Sequence, residues 1–221
     1  MKVLVACEES QTVCLAFRSR GHKAYSNDII ECSGGHPEWH LQMDALEAVK
    51  LMDWDMMIAH PPCTRLCNSG VSWLAKRNLW EEMERAAKFF KQLLDTDIPR
   101  VAVENPIPHK YALAIIGRKY DQLVQPWMFG HPETKATCLW LKNLPPLMPT
   151  DLRFGREQRL HRLPPGPNRA RLRSTTFLGI ADAMAAQWSE NLKLAVASDD
   201  GRQGGVKTVV AVNVTPKEAT T

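Results

Sequence analysis

Four short apolar runs, separated by stretches of helical periodicity, set the strongest limit on what this chain can fold into. Lys2 to Cys7 is β-branched and apolar without alternation, the pattern of a strand buried on both faces of a parallel sheet. A helix is expected next, with Ser10 as N-cap, Val13, Leu15, Ala16 and Phe17 as its apolar face and Gly21 as its stop. Lys23 to Asp28 reads as a second strand ending in an acid. A polar loop (Cys32 to Trp39) and a short helix (Ala45 to Leu51) lead to a third strand, Asp55 to His60, where Pro61-Pro62 takes the chain out of the sheet. Trp73 to Leu94 has the period of one long helix, and Arg100 to Glu104 is a fourth strand closed by Asn105-Pro106. Alternation of this kind predicts a doubly wound, mostly parallel α/β sheet, whose ligands bind beyond the carboxyl ends of the strands.

Beyond Asp121 the pattern changes. Leu123 to Phe129 and Cys138 to Leu141 read as strands, paired antiparallel across a Gly-His-Pro-Glu-Thr turn. From 144 to 173 the six prolines Pro145, Pro146, Pro149, Pro164, Pro165 and Pro167 exclude a long helix or a central strand and predict an irregular insertion. Phe177 to Trp188 returns to helical period. The Gly-, Asp-, Lys- and Thr-rich end, 197–221, reads as a mobile tail. The 221 residues suit one domain, 1–196, with the 144–173 insertion inside it. No apolar stretch approaches a membrane span and the first residues do not form a signal peptide, so a cytoplasmic location is expected, and host cytoplasm if the chain is phage-encoded. The six cysteines are then expected to be reduced thiols. Net charge is only +4, but Arg153, Arg156, Arg159, Arg162, Arg169, Arg171 and Arg173 face a single acid, Glu157, within their segment. Such a patch suits phosphate contacts or a solvated loop.

Two features carry chemistry. Ala59-His60-Pro61-Pro62-Cys63-Thr64 sets a thiol directly after a strand on a stiff elbow, which suits a nucleophile held without entropic loss, or else a turn cysteine with no role. His60, Cys63 and Cys67 at H-x2-C-x3-C lack a fourth ligand and the spacing of the zinc deaminases, so no metal is assigned and Cys67 is read as packed near the site. Glu104 closes a buried strand, where a carboxylate serves to share a proton with a bound ring nitrogen or to cap the following helix.

Pro-Pro-Cys after one strand and Glu-Asn-Pro after the next resembles the cytosine-C5 DNA methyltransferases, in a small, divergent form of phage or prophage type. Asp28 in Ser-Asn-Asp-Ile, Asp44 in Leu-Gln-Met-Asp-Ala, the Phe129 to Thr137 segment and the helix from Arg173 to Ala181 follow in the family's order. The resemblance implies a Rossmann-like class I fold, S-adenosylmethionine as cofactor, and Cys63, Glu104, Lys135 and Thr137 as catalytic residues. It implies Ala6, Cys7, Glu8, Glu9, Ser10, Asp28, Ile29, Asp44, His60 and Pro61 around the cofactor. Segment 144–173 then stands where the family has a larger target-recognition region, with its arginines on duplex DNA. Two departures stand out: the first turn, Ala6 to Gln11, has no glycine, and the family's Arg-x-Arg is reduced to Lys135 and Thr137.

The implied reaction is addition of Cys63 to C6 of a cytosine flipped from DNA, with Glu104 on N3 and the exocyclic amine, followed by methylation at C5. Three alternatives stay open: the same chemistry on a free pyrimidine nucleotide such as dCMP, methylation of an amino group, and a non-catalytic DNA-binding relic. The protein is expected to work as a monomer or homodimer.

Overall fold

The computed structural model describes residues 1–167 and 169–197, with side chains as far as 189; beyond Ala197 the expected tail lies outside the described residues. Seven strands form one sheet: β1 (Lys2–Ala6), β2 (Lys23–Asp28), β3 (His40–Gln42), β4 (Met56–Ala59), β5 (Val101–Pro106), β6 (Gln122–Val124) and β7 (Thr137–Lys142). Their order is β3-β2-β1-β4-β5-β7-β6. Pairing is parallel from β3 to β5, and β7 runs antiparallel to both β5 and β6. This is the doubly wound, mostly parallel, Rossmann-like sheet that the sequence predicts.

The central strands are apolar throughout because both their faces are buried. Leu4, Ala6, Met57, Ala59, Val101, Val103 and Trp140 point into one core, against α2 (Ala45–Lys50), α4 (Trp80–Leu94) and α5 (Lys110–Ile116). Val3, Val5, Met56, Ile58, Ala102 and Leu139 point into the other, against α1 (Thr12–Arg18) and α8 (Leu178–Ala197). In α4 the spacing of Met83, Ala87, Phe90 and Leu94 lays one stripe on the sheet. Phe90 there meets Trp140 edge-on at 4.8 Å between centroids, a geometry that adds about 0.5–1.5 kcal/mol beyond its buried area. Among the described residues no helix is long and apolar enough to cross a membrane.

Several local expectations are corrected. The N-cap of α1 is Gln11, not Ser10, and the cap is supplied from a distance, as set out below. The stretch expected as one helix from Trp73 is two, α3 (Val71–Lys76) and α4, broken where Asn78 takes φ 50°. The strand expected over Leu123 to Phe129 is only β6, because Pro126 begins a 3-10 turn over Pro126–Met128. Strand β3 and helix α5 have no counterpart in the sequence reading. Among the described residues of 144–173 two short helices stand in otherwise irregular chain, α6 (Arg159–Arg162) and α7 (Arg169–Ser174), the second running one residue past the segment. The last helix is longer than expected and starts at Leu178. Its entry is fixed by Gly179, where a Cβ would run into the Phe129 carbonyl.

Candidate active site

Strands β1, β4 and β5 lie side by side, with Ala6 opposite Ala59 and Ala59 opposite Val103. One residue beyond this level stand Cys7, His60 and Glu104. Since Ala59 and Val103 face the α4 side, the alternation of a strand turns His60 and Glu104 toward α8, whereas Cys7, bent at φ 58°, packs on the α4 side. The His60 N–H continues the ladder by donating to the Ala6 carbonyl at 2.9 Å. Its ring nitrogen Nδ1 lies 3.2 Å from Glu104 Oε2, with the two side chains only 10% and 15% exposed. The other ring nitrogen, Nε2, is buried without a partner among the described residues. His60 and Glu104 line a small cavity closed by Lys135 and Thr137 from the β7 side and by Thr176, Phe177, Ile180 and Met184 at the start of α8.

Burial pushes the Glu104 carboxyl up, but the His60 hydrogen bond, the His60 ring and the Lys135 ammonium outweigh it and hold the group below the ordinary carboxylate range. Lys135 is anchored by donating from Nζ to the Thr175 carbonyl at 3.3 Å, and Thr137 donates to the Lys135 carbonyl. The four residues implied as catalytic are therefore brought to one end of the sheet, with Glu104, Lys135 and Thr137 on one cavity wall and Cys63 beside it.

Cys63 sits in a tight turn after the proline elbow. Its carbonyl accepts from the N–H groups of Leu66 at 2.9 Å and Cys67 at 3.1 Å. The turn is tied down by the segment after β5: Asn68 N–H donates to Ile107, His109 N–H to Leu66, and His109 Nε2 bonds the Arg65 carbonyl at 2.9 Å. His109 is itself buried, and its Nδ1 accepts from Ala112 N at the head of α5. This histidine, absent from the sequence reading, is what makes the cysteine loop rigid.

The two thiols of the turn are not equivalent. Cys63 is pushed up, first by its hydrogen bond with Cys67, then by burial and the Glu104 charge. Cys67 is pushed down, first by the same bond and then by Ser69, whose Oγ lies 3.1 Å from its sulfur. Of the two, Cys67 is therefore the easier to ionise and Cys63 the harder. The sequence reading, which left Cys67 merely packed nearby, missed this pairing; the C-x3-C spacing in a turn was its only signal.

At the end of β1 the glycine-free turn takes the backbone shape glycines commonly supply: Cys7 has φ 58° and Gln11 φ 59°. Glu8 is 5% exposed, and its two carboxylate oxygens accept from Val13 N at 2.6 Å and Cys14 N at 3.2 Å. Its carboxylate therefore caps α1. Burial pushes its carboxyl up, against the His60 ring and the two amides. Asp28 and Asp44 flank Cys7, whose thiol is pushed up to about 12 by burial and by those two charges. Asp28 Oδ1 holds the Ile29 N–H at 2.7 Å and Asp44 caps α2 through Leu46 N at 2.8 Å. Ile29 is exposed, Pro61 and Ala6 are buried, and Glu9 and Ser10 are half-buried in the turn. Ser33 N–H donates to the Glu9 carbonyl at 2.8 Å, and Gln11 clasps His36 through both its amide atoms, so loop 33–36 packs on this turn.

The arginine segment divides. Arg159 pairs with buried Glu133, Arg153 with Asp151, and Arg156 stacks 3.8 Å over the Trp127 ring. Arg169 donates to the Leu163 carbonyl. Arg162, Arg171 and Arg173 have no side-chain partner among the described residues. The seven are thus not one uniform patch: four hold the insertion together and three do not.

No protein-family model matches the chain and no curated protein matches it. Among solved structures, a prophage-encoded E. coli protein designated a DNA modification methyltransferase aligns at TM-score 0.48 and 15% identity, over 69% of this chain and 52% of that one. The Entamoeba histolytica methyltransferase EhMeth aligns at TM-score 0.45 and 15% identity, over 72% and 57%. The S. pombe Dnmt2 methyltransferase aligns at TM-score 0.42 and 12% identity, over 66% and 51%. The aligned region thus spans about half the length of each of these structures.

Proposed function

We propose that this chain is an S-adenosylmethionine-dependent methyltransferase acting on C5 of cytosine in DNA, with Cys63 as nucleophile and Glu104 on the base edge. One observation carries the reading. A thiol and a carboxylate that follow or close the carboxyl ends of adjacent parallel strands stand near each other, close enough for the Glu104 charge to raise the Cys63 thiol, with Lys135 beside both. An isolated turn cysteine or a helix-capping glutamate has no need of such company, and Glu104 makes no cap to α5, a role held by His109.

S-adenosylmethionine supplies an electrophilic methyl group when bound. The ends of β1, β2 and β3 fit it: Asp28 and Asp44 offer carboxylates to hydroxyl and amine groups, Ile29 an exposed apolar surface, and the left-handed Cys7 a backbone bend without glycine. In the reaction, the Cys63 thiol gives up its proton to solvent and its sulfur bonds to C6. The C5=C6 electron pair shifts into the ring, whose N3 takes a proton from Glu104. A ring nitrogen lone pair set against that carboxylate favours its protonated form, so base binding itself loads the proton. The enamine formed makes C5 nucleophilic; after it gains the methyl, the C5 proton leaves to solvent, the C5=C6 double bond re-forms with expulsion of the Cys63 thiolate, and N3 returns its proton to Glu104. Arg162, Arg171 and Arg173 are available for phosphates, and segment 144–173 takes the role of a reduced recognition insertion.

Labelled S-adenosylmethionine incubated with duplex DNA or with dCMP tests this reading. Transfer to DNA, lost in Cys63→Ala and Glu104→Ala, is the expected result; transfer to dCMP alone moves the substrate to the nucleotide, and transfer retained by Cys63→Ala overturns the mechanism.

A further inference from the structure

Glu104 has two oxygens with different fates. Oε2 is engaged by His60 Nδ1 at 3.2 Å across the β4–β5 register, while no hydrogen bond holds Oε1 among the described residues. The His60 backbone is pinned to Ala6, so the ring has little freedom to leave Glu104. Its Nε2, nine-tenths buried and unpartnered, looks into the cavity that Glu104 also lines. A buried polar atom left open costs about 1–3 kcal/mol, so such atoms mark places that a ligand completes. The remaining charged or titratable groups facing the pair are Glu8 at the end of β1, Lys135 before β7, Cys63 after β4 and Cys138 on β7; the start of α8 contributes only Thr176, Phe177, Ile180 and Met184.

Resting on the methyltransferase reading above, we infer that His60 is the positioning residue of Glu104: by holding Oε2 it aims Oε1 alone at the base and stabilises the carboxylate left when the proton passes to the ring. In the resemblance to the cytosine-C5 family, Lys135 and Thr137 stand where that family has Arg-x-Arg. Lys135 acts on the carboxylate through its charge alone, so His60, from the neighbouring strand, is its hydrogen-bonded anchor among the described residues.

Two variants separate the roles of the ring. His60→Ala removes both nitrogens; His60→Asn keeps a donor near the position of Nδ1 and removes Nε2. The Glu104 carboxyl, followed by carbon-13 NMR in the protein without cofactor or DNA, is expected to titrate at higher pH in His60→Ala than in wild type, because the partner that lowers it is gone, and to return toward wild type in His60→Asn. Methyl transfer from labelled S-adenosylmethionine to DNA is expected to fall about 10²-fold in kcat in His60→Ala, with the pH limb belonging to Glu104 moved upward, and to recover in large part in His60→Asn. An unmoved Glu104 titration, or a His60→Ala rate and pH profile equal to wild type, overturns the inference. A wild-type protein that transfers no methyl group sinks the methyltransferase reading instead, while the titration still decides the His60–Glu104 relationship.

Discussion

Cys67 donates its backbone N–H to the Cys63 carbonyl at 3.1 Å, and the turn so formed sets the two thiols where each shifts the other, Cys63 up and Cys67 down. Cys67 is made the more acidic of the two and Cys63 the less acidic.

Alkylation therefore discriminates the pair. Iodoacetamide at neutral pH is expected to modify Cys67 before Cys63, with peptide mass mapping as the measurement, since the thiolate is the reacting form. Because the Cys67 pKa is depressed, its reaction persists below the ordinary thiol range and fades only as pH falls through the lowered value. Cys67→Ala is expected to bring the Cys63 thiol back down toward the ordinary range, read as faster alkylation of Cys63 at a given pH, because its neighbour is the first cause holding it up. Cys63 reacting first contradicts the assignment.

Glu8 is a stability residue. Glu8→Ala removes the carboxylate that caps two amides of α1 and is expected to cost about 1–2 kcal/mol in urea unfolding. Glu8→Gln keeps one acceptor and is expected to cost less. A neutral result for both contradicts the capping role.

The division of the arginines is testable by salt. Arg162→Ala, Arg171→Ala and Arg173→Ala are each expected to weaken duplex DNA binding and to reduce the slope of log K against log salt by about 0.9. Arg159→Ala, which strands buried Glu133, is expected to lower the melting temperature while leaving that slope nearly unchanged. Equal slope changes in all four contradict the split.

Gly179→Ala is expected to destabilise the fold by about 1–3 kcal/mol, because the Phe129 carbonyl lies where the new methyl group must go. Since α8 closes the cavity through Phe177, Ile180 and Met184, the same variant is expected to lose methyl transfer beyond its loss of stability. A wild-type melting temperature contradicts the close approach.

Much of the architecture was legible because the signals are local. Runs such as Val3-Leu4-Val5 and Met56-Met57-Ile58 have one environment, a sheet covered on both faces, and Pro61-Pro62 and Asn105-Pro106 mark where two strands stop. What escaped depends on residues distant in sequence. The α1 cap comes from Glu8 across a turn whose left-handed Gln11 gives no compositional sign, so Ser10 looked the better cap. The break at Asn78 interrupts a helical period that runs on either side of it. His40-Leu41-Gln42 is too short and polar to read as a strand, and becomes one only because β2 offers an edge. At the site, Cys63, Glu104, Lys135 and Thr137 could be named from motif order, but the His60–Glu104 pair needed the register of β4 on β5. The non-equivalence of Cys63 and Cys67 needed Ser69 and the turn geometry.

The central claim is a covalent bond between Cys63 and a cytosine. A duplex pool of random sequence with 5-fluorocytosine in place of cytosine, incubated with the protein and S-adenosylmethionine, tests it directly, because fluorine at C5 cannot leave as a cation and the adduct is held. The prediction is a denaturation-resistant protein–DNA species whose modified peptide maps to Cys63 and which is missing in Cys63→Ala; a species mapping to another residue, or none with a protein that still methylates DNA, contradicts the account.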